Sequence, residues 1–137
     1  MEMSNWQGAA GVCINKQNEV LMVLQGVPGE DKKWTVPAGG LEHGESLREC
    51  CAREFQDVTG FAVAVGEELT VKKGQYENSA VSFELHYFRV EITSGALTVF
   101  EGDDWIEAVT WQPISKLTEL ELAYPDDVEL IGSLSQN

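Results

Sequence analysis

A glycine-rich loop that runs directly into a bounded amphipathic helix, between Trp34 and Phe61, constrains this chain more than any other stretch. It opens as Trp34-Thr35-Val36-Pro37-Ala38-Gly39-Gly40, carries Glu42 and Glu45, and then turns helical. Ser46 is a suitable N-cap, and Glu49 three residues on completes a capping-box spacing. Thr59-Gly60 ends the helix, because Gly60 is free to take the left-handed conformation of a C-terminal cap. Leu47, Cys51, Phe55 and Val58 fall on one stripe and predict a face packed on a sheet. Glu54 stands at the edge of that stripe. Asp57 lies beside Glu54 on the side away from Phe55, with Cys50 between them. Arg53 and Glu49, four apart, are spaced to pair along the helix.

The rest of the chain reads mainly as strands. Gly8 to Asn15 and the apolar run Val20 to Leu24 predict a hairpin about the polar turn Lys16–Glu19, its second strand buried on both faces. Trp34 to Val36 is a short strand stopped by Pro37. Phe61 to Val71 alternates as a strand and Lys72 to Gln75 reads as a turn, with a loop over Tyr76 to Ala80. Val81 to Ile92 is a long strand, Leu97 to Phe100 a shorter one, and Ile106 to Trp111 another. Pro113 to Leu117 forms a helical turn. Tyr124-Pro125-Asp126-Asp127 opens a last helix, with Val128, Ile131 and Leu134 on its apolar side. Strands interrupted by one central and one terminal helix predict a single α/β domain over residues 1–137, with helices on opposite faces of a mixed sheet.

Charge narrows the partners. The chain holds 23 acids against nine lysines and arginines, a net charge of −14. Such a surface repels nucleic-acid duplexes and anionic membranes over about 8–10 Å at physiological salt. A small anionic substrate would need a divalent cation to bring it in. No apolar run has the length of a membrane span, and the polar start Met1–Gln7 lacks the pattern of a secretory signal, so a cytoplasmic location is expected. Cys13, Cys50 and Cys51 show no C-x-x-C spacing and read as small, buried, reduced thiols.

Acids three and four apart on a helix share a face, and several of them near a carbonyl of a glycine loop make an oxygen-only site suited to magnesium or manganese. The stretch resembles the Nudix hydrolase signature, G-x5-E-x7-R-E-U-x-E-E-x-G-U, where U is bulky and aliphatic. Here it runs Gly39, Glu45, Arg53-Glu54-Phe55, Asp57-Val58, Gly60-Phe61. Trp34-Thr35-Val36-Pro37 before it and Trp111 to Leu117 after it also look like this family, so the resemblance covers roughly residues 8 to 120.

That resemblance implies an α/β/α sandwich around a mixed sheet, and hydrolysis of a phosphoanhydride in a nucleoside diphosphate derivative (a nucleotide, a nucleotide-sugar or an ADP-ribose type) by water activated with Mg2+ or Mn2+. Carried over, Glu54 and Asp57 are the catalytic metal ligands, helped by the carbonyl of Ala38 or Gly39. Glu45 and Arg53 brace the loop against the helix, and Gly44 and Gly60 supply tight turns. Two departures stand out. Asp57 is one methylene shorter than the usual Glu, and Val58 stands where the family has a second acid. Glu42, Asp104 and Glu107 are the further acids that could complete the set, with Glu101 and Asp103 in the same acidic loop as Asp104. Trp6, Tyr76, Phe88 and Trp105 are candidates to stack a base. Arg89, Lys72 and Lys73 read as surface charge that could meet phosphates, and His43 and His86 as structural or exposed. The expected partner is a small nucleotide-type molecule, with a homodimer left open. The alternative to a working hydrolase is a protein of the same fold, impaired by Val58, that binds nucleotides or regulates.

Overall fold

The computed structural model describes residues 4–75, 81–98 and 104–135. Two sheets form. In the first, β1 (Ser4–Val12) lies between β4 (Ala38–Gly40), antiparallel to it, and β6 (Val81–Gly95), parallel to it; β5 (Phe61–Gln75) pairs antiparallel with β6 on the far side. In the second, β2 (Glu19–Gln25) is flanked by β3 (Lys33–Thr35) and β7 (Ile106–Pro113), all antiparallel. Helix α1 (Leu47–Thr59) follows β4, and a 3₁₀ turn (Ile114–Glu119) leads to the short α2 (Asp127–Ser133).

Alternation along the strands makes two cores. Ala10, Val12, Val20, Met22, Leu85 and Tyr87 face one side, where Leu117 and Ile131 of the terminal elements cover them. Ala9, Cys13, Leu21, Phe88 and Val90 face the other, under Cys50, Cys51 and Phe55 of α1. The strands are therefore a layer between two helices, the α/β/α arrangement. Phe55, where the related signature has an aliphatic, finds room because Gly11 lies beneath it: a Cβ on Gly11 would stand 2.7 Å from the ring.

Three segments differ from expectation. The hairpin of the first two strands forms only at its closed end, through the Ile14–Val20 bridge and the Leu21 N–H to Cys13 carbonyl bond (3.1 Å). Beyond it β1 and β2 part into different sheets, each recruited by longer partners. Ala38–Gly40, read as loop, is a strand: it meets only Gly8, Ala9 and Ala10 of β1, and small residues on both sides let the two backbones pair closely beneath α1. Lys72 to Gln75, read as a turn, continues β5, with Lys72 opposite Leu85 on the strand's inward face. The expected loop over residues 76–80 and the end of the expected strand at residues 99 and 100 lie outside the described residues.

Candidate active site

The site begins with how α1 is started. Ser46 accepts a hydrogen bond from the Glu49 amide (3.1 Å) while the Glu49 carboxylate accepts from the Ser46 amide (2.9 Å), so both halves of the capping box form. Glu49 is thereby committed, and the expected Arg53–Glu49 pair gives way to another: Arg53 turns towards the loop. Gly44 (φ 80°) and Gly60 (φ 90°) take the left-handed backbone that their turns require, and the Gly60 amide caps the helix on the Gln56 carbonyl.

Arg53 gathers the loop and helix around its guanidinium. Nε donates to Glu45 Oε2 (2.6 Å), Nη2 to Glu45 Oε1 (2.9 Å) and to the Gly40 carbonyl (2.9 Å), and Nη1 to Glu54 Oε1 (2.7 Å). Glu42 Oε1 and Asp57 Oδ2 each stand 3.6 Å from the same Nη1. Glu45 is held in a two-pronged grip, the strong form of an arginine–carboxylate contact. The hydrogen bond from Arg53 holds the Glu45 carboxyl at about 2, well below its ordinary range, and the same bond raises Arg53. Arg53 thus links Glu45 of the loop and Gly40 of β4 to α1 by hydrogen bonds, and Glu42 stands at the rim.

Glu54 sits on Gly39. A Cβ built there would lie 2.1 Å from the Glu54 carboxyl carbon, so only glycine leaves space for this carboxylate against β4. The Gly39 carbonyl accepts from the Cys50 thiol at 3.6 Å, and Ala38 is half-buried beside it at the mouth of a cleft. Asp57, with 64% of its side chain exposed, points into water next to Glu54. Val58, at 8%, is buried on the apolar stripe. Among the described residues no three acid, histidine or cysteine side chains gather closely enough to hold an ion by themselves. Two neighbouring carboxylates and a nearby carbonyl nevertheless suit magnesium, which commonly takes one or two carboxylates and completes its shell with substrate phosphates and water. The donor set fits such an ion and falls short of a full protein cage.

Beside Gly39 opens a cleft of about 490 Å³ between the two sheets. Trp6, Val27, Trp105 and Tyr124 wall it, and Lys33 is the charged side chain lining it. Trp6, Val27 and Trp105 are three of the four large apolar residues most exposed among those described; the fourth is Leu97. Among the described residues no carboxylate lines this aromatic cleft, which gives it the character of a place for a flat ring with an anionic tail.

Other expected residues fall elsewhere. Among the described residues no hydrogen bond or ion pair joins Asp104 or Glu107 to the Arg53 cluster; both are exposed, flanking Trp105. Phe88 is buried under α1 with the Arg48 guanidinium 5.3 Å from its ring centre, so it is not a base platform. Glu101, Asp103 and Tyr76 lie outside the described residues. His43 is exposed, while His86 Nδ1 meets Glu68 Oε1 (2.5 Å). Burial pushes the Cys13 and Cys50 thiols up to about 11 and Cys51 to about 12, in keeping with inert packing.

Lys72 departs most from the surface charge expected of it. It is inward-facing, with its Nζ 2.8 Å from Asp126 Oδ1 and 2.5 Å from Asp127 Oδ1. Burial alone would lower its ammonium; the two carboxylates outweigh that and raise it. Tyr87 donates to Asp127 Oδ2 (3.0 Å), closing a buried ion-pair cluster between β5, β6 and α2. The sequence gave no sign of it, because the partners are far apart along the chain.

Comparison with known proteins places the chain. The family model described as NUDIX domain matches residues 5–133. A Bacillus subtilis protein named "Putative 8-oxo-dGTP diphosphatase" is 33% identical over 90 residues, covering 65% of this chain and 55% of that protein. An "8-oxo-(d)GTP phosphatase" of Mycolicibacterium smegmatis is 26% identical over 98 residues, 72% of this chain and 29% of that protein. The chain thus spans little more than half, or less, of the curated relatives it matches. A solved NUDIX hydrolase from Nitrosomonas europaea superposes with a TM-score of 0.79 at 20% identity, covering 96% of this chain and 88% of that one, a likeness of fold.

Proposed function

This chain belongs to the NUDIX domain family, and from that premise we propose that it hydrolyses a phosphoanhydride bond in a nucleoside diphosphate derivative, using Mg2+ or Mn2+. The observation that carries the proposal is the contact of the Glu54 carboxylate with Gly39 at the mouth of the aromatic cleft. It sets an ion-binding group beside a space able to hold a base. The names of the two relatives described above make 8-oxo-purine nucleoside triphosphates the first substrates to try. Nucleotide-sugars and ADP-ribose come next.

On this reading Glu54 and Asp57 hold the ion from one side, with the carbonyl of Gly39 or Ala38 close by. Bound there, the ion would neutralise phosphate oxygens and activate the attacking water. Arg53 and Glu45 keep the loop fixed on the helix, so that Glu54 needs no rearrangement when substrate arrives. The wall formed by Trp6, Trp105 and Tyr124 stacks the base, and Lys33 offers the cleft's positive charge to the anionic substrate. Its partner is a small nucleotide-type molecule and its compartment the cytoplasm.

Val58 favours a second reading, a nucleotide-binding or regulatory protein on the same frame. Where a third carboxylate would complete the acid set, the chain has buried a hydrocarbon. The deciding experiment assays purified protein with Mg2+ and Mn2+ against 8-oxo-dGTP, dGTP, ADP-ribose and dinucleotide polyphosphates. Turnover that disappears in Glu54→Gln supports the hydrolase. Nucleotide binding without turnover by the wild type establishes the second reading instead.

A further inference from the structure

Lys72 lines neither the metal-binding edge nor the aromatic cleft, yet it touches the cleft through Tyr124. Its Nζ stands 5.0 Å from the centre of the Tyr124 ring and 5.3 Å from that of Tyr87. The same ammonium is pinned by Asp126 and Asp127, which immediately follow Tyr124-Pro125 at the start of α2. Asp127 is in turn fixed by the Tyr87 hydroxyl. The Asp127 side chain is 2% exposed and that of Lys72 14%, so this pair is interior, while Asp126, 72% exposed, meets the lysine from the solvent side. An open groove of about 600 Å³ is lined by Lys72, Phe83 and Asp126, whereas Tyr124 lines the aromatic cleft.

Resting on the reading of the aromatic cleft as the nucleotide site, we infer that Lys72 is a positioning residue: its ammonium, held by Asp126 and Asp127, fixes the ring of Tyr124 as a wall of that cleft. Two effects act together. The cation attracts the face of the ring. The ion pairs anchor the backbone from which the ring projects, so the wall stands in place before a ligand enters. A preset wall spares the ligand the cost of ordering it.

The test measures binding of 8-oxo-dGMP, the monophosphate that diphosphatase cleavage of 8-oxo-dGTP would release, by quenching of the tryptophan fluorescence to which Trp6 and Trp105 contribute, and so does not depend on turnover. Lys72→Met alone strands a buried carboxylate, which threatens folding. The working variant is therefore Lys72→Met/Asp127→Asn, which removes both charges, with Lys72→Arg as the conservative control. The double variant is expected to weaken binding about tenfold and Tyr124→Ala by a similar factor, the scale of one base–aromatic stack. Lys72→Arg should stay near wild type. Combining all three substitutions should weaken binding no further than Tyr124→Ala alone, because Lys72 acts through that ring. Multiplying effects, or a double variant that binds like wild type while Tyr124→Ala does not, overturns the inference. A Tyr124→Ala variant that binds as wild type does, or a wild type that shows no quenching, overturns the reading of the cleft instead.

Discussion

Arg53 and Glu54 are neighbours in the chain and partners in space: Nη1 of the first donates to Oε1 of the second at 2.7 Å. The arginine thus occupies the flank of the one acid that Gly39 presses into place. On the proposed function, an ion at Glu54 would share it with a cation already there, and its hold would depend on what else it can reach. That makes the neighbouring positions decisive.

Gly39→Ala tests the contact directly. The added methyl would overlap the Glu54 carboxylate, which must leave because β4 is paired to β1. Displacing a reacting group by about 1 Å can cost about 100-fold, and a loss of that order in turnover is expected, with unchanged far-ultraviolet circular dichroism. Full activity in this variant would remove Glu54 from the site.

Val58→Glu supplies the absent carboxylate one helical turn after Glu54. Manganese affinity, measured by calorimetry, should tighten by about tenfold or more, the range in which metal sites respond to supporting groups. Stability should fall by about 1–3 kcal/mol in urea unfolding, since a charge enters a buried position. An unchanged affinity would mean that Val58 is not what limits the site.

Glu45 links the loop to acid stability. Its folded value, about 2, lies below the ordinary 4.5 because Arg53 bonds to the ionised form. A depressed carboxyl contributes stability above about pH 4.5 and loses it as pH falls towards about 2. The gap in urea midpoint between wild type and Glu45→Gln should be constant at neutral pH and narrow through that window. A gap that does not narrow there would show that the Arg53 grip does not stabilise the fold.

The three thiols should be silent. Cys13, Cys50 and Cys51 are buried, and burial holds each near 11 or 12, so almost no thiolate forms at mildly alkaline pH. A thiol reagent should label none of them in the native protein and all three in denaturant. Rapid native labelling of Cys50 would show that α1 opens over the Gly39 carbonyl.

Helix α1 was legible in the sequence because its signals are local: the Ser46–Glu49 box, the apolar stripe and Gly60 lie within one segment. The Arg53–Glu45 contact came only with the family resemblance; helical spacing by itself pointed to Glu49, which the capping box claims instead. The strand at Ala38–Gly40 was not legible, since glycines carry no strand signal and pair only because Gly8 to Ala10 are equally small. The two-sheet division was hidden for a similar reason: nothing within the first hairpin records that β1 is claimed by β6, far along the chain. Lys72 read as part of a turn because its neighbours Lys73 and Gly74 are turn residues, while its acids wait at 126 and 127. The cleft, assembled from Trp6, Trp105 and Tyr124, had only scattered aromatics to announce it.

The contacts of Arg53 span 8 residues to Glu45 and 13 to Gly40. The cleft draws its walls from Trp6 to Tyr124, nearly the whole chain. Loop closure over short spans is entropically cheap, so the segment around Arg53 can organise early in folding, whereas the cleft waits for residues far apart in the chain to meet. On the proposed function, substitutions at Trp6 or Tyr124 would therefore retune which ring is accepted while the Gly39–Gly60 segment stays as it is.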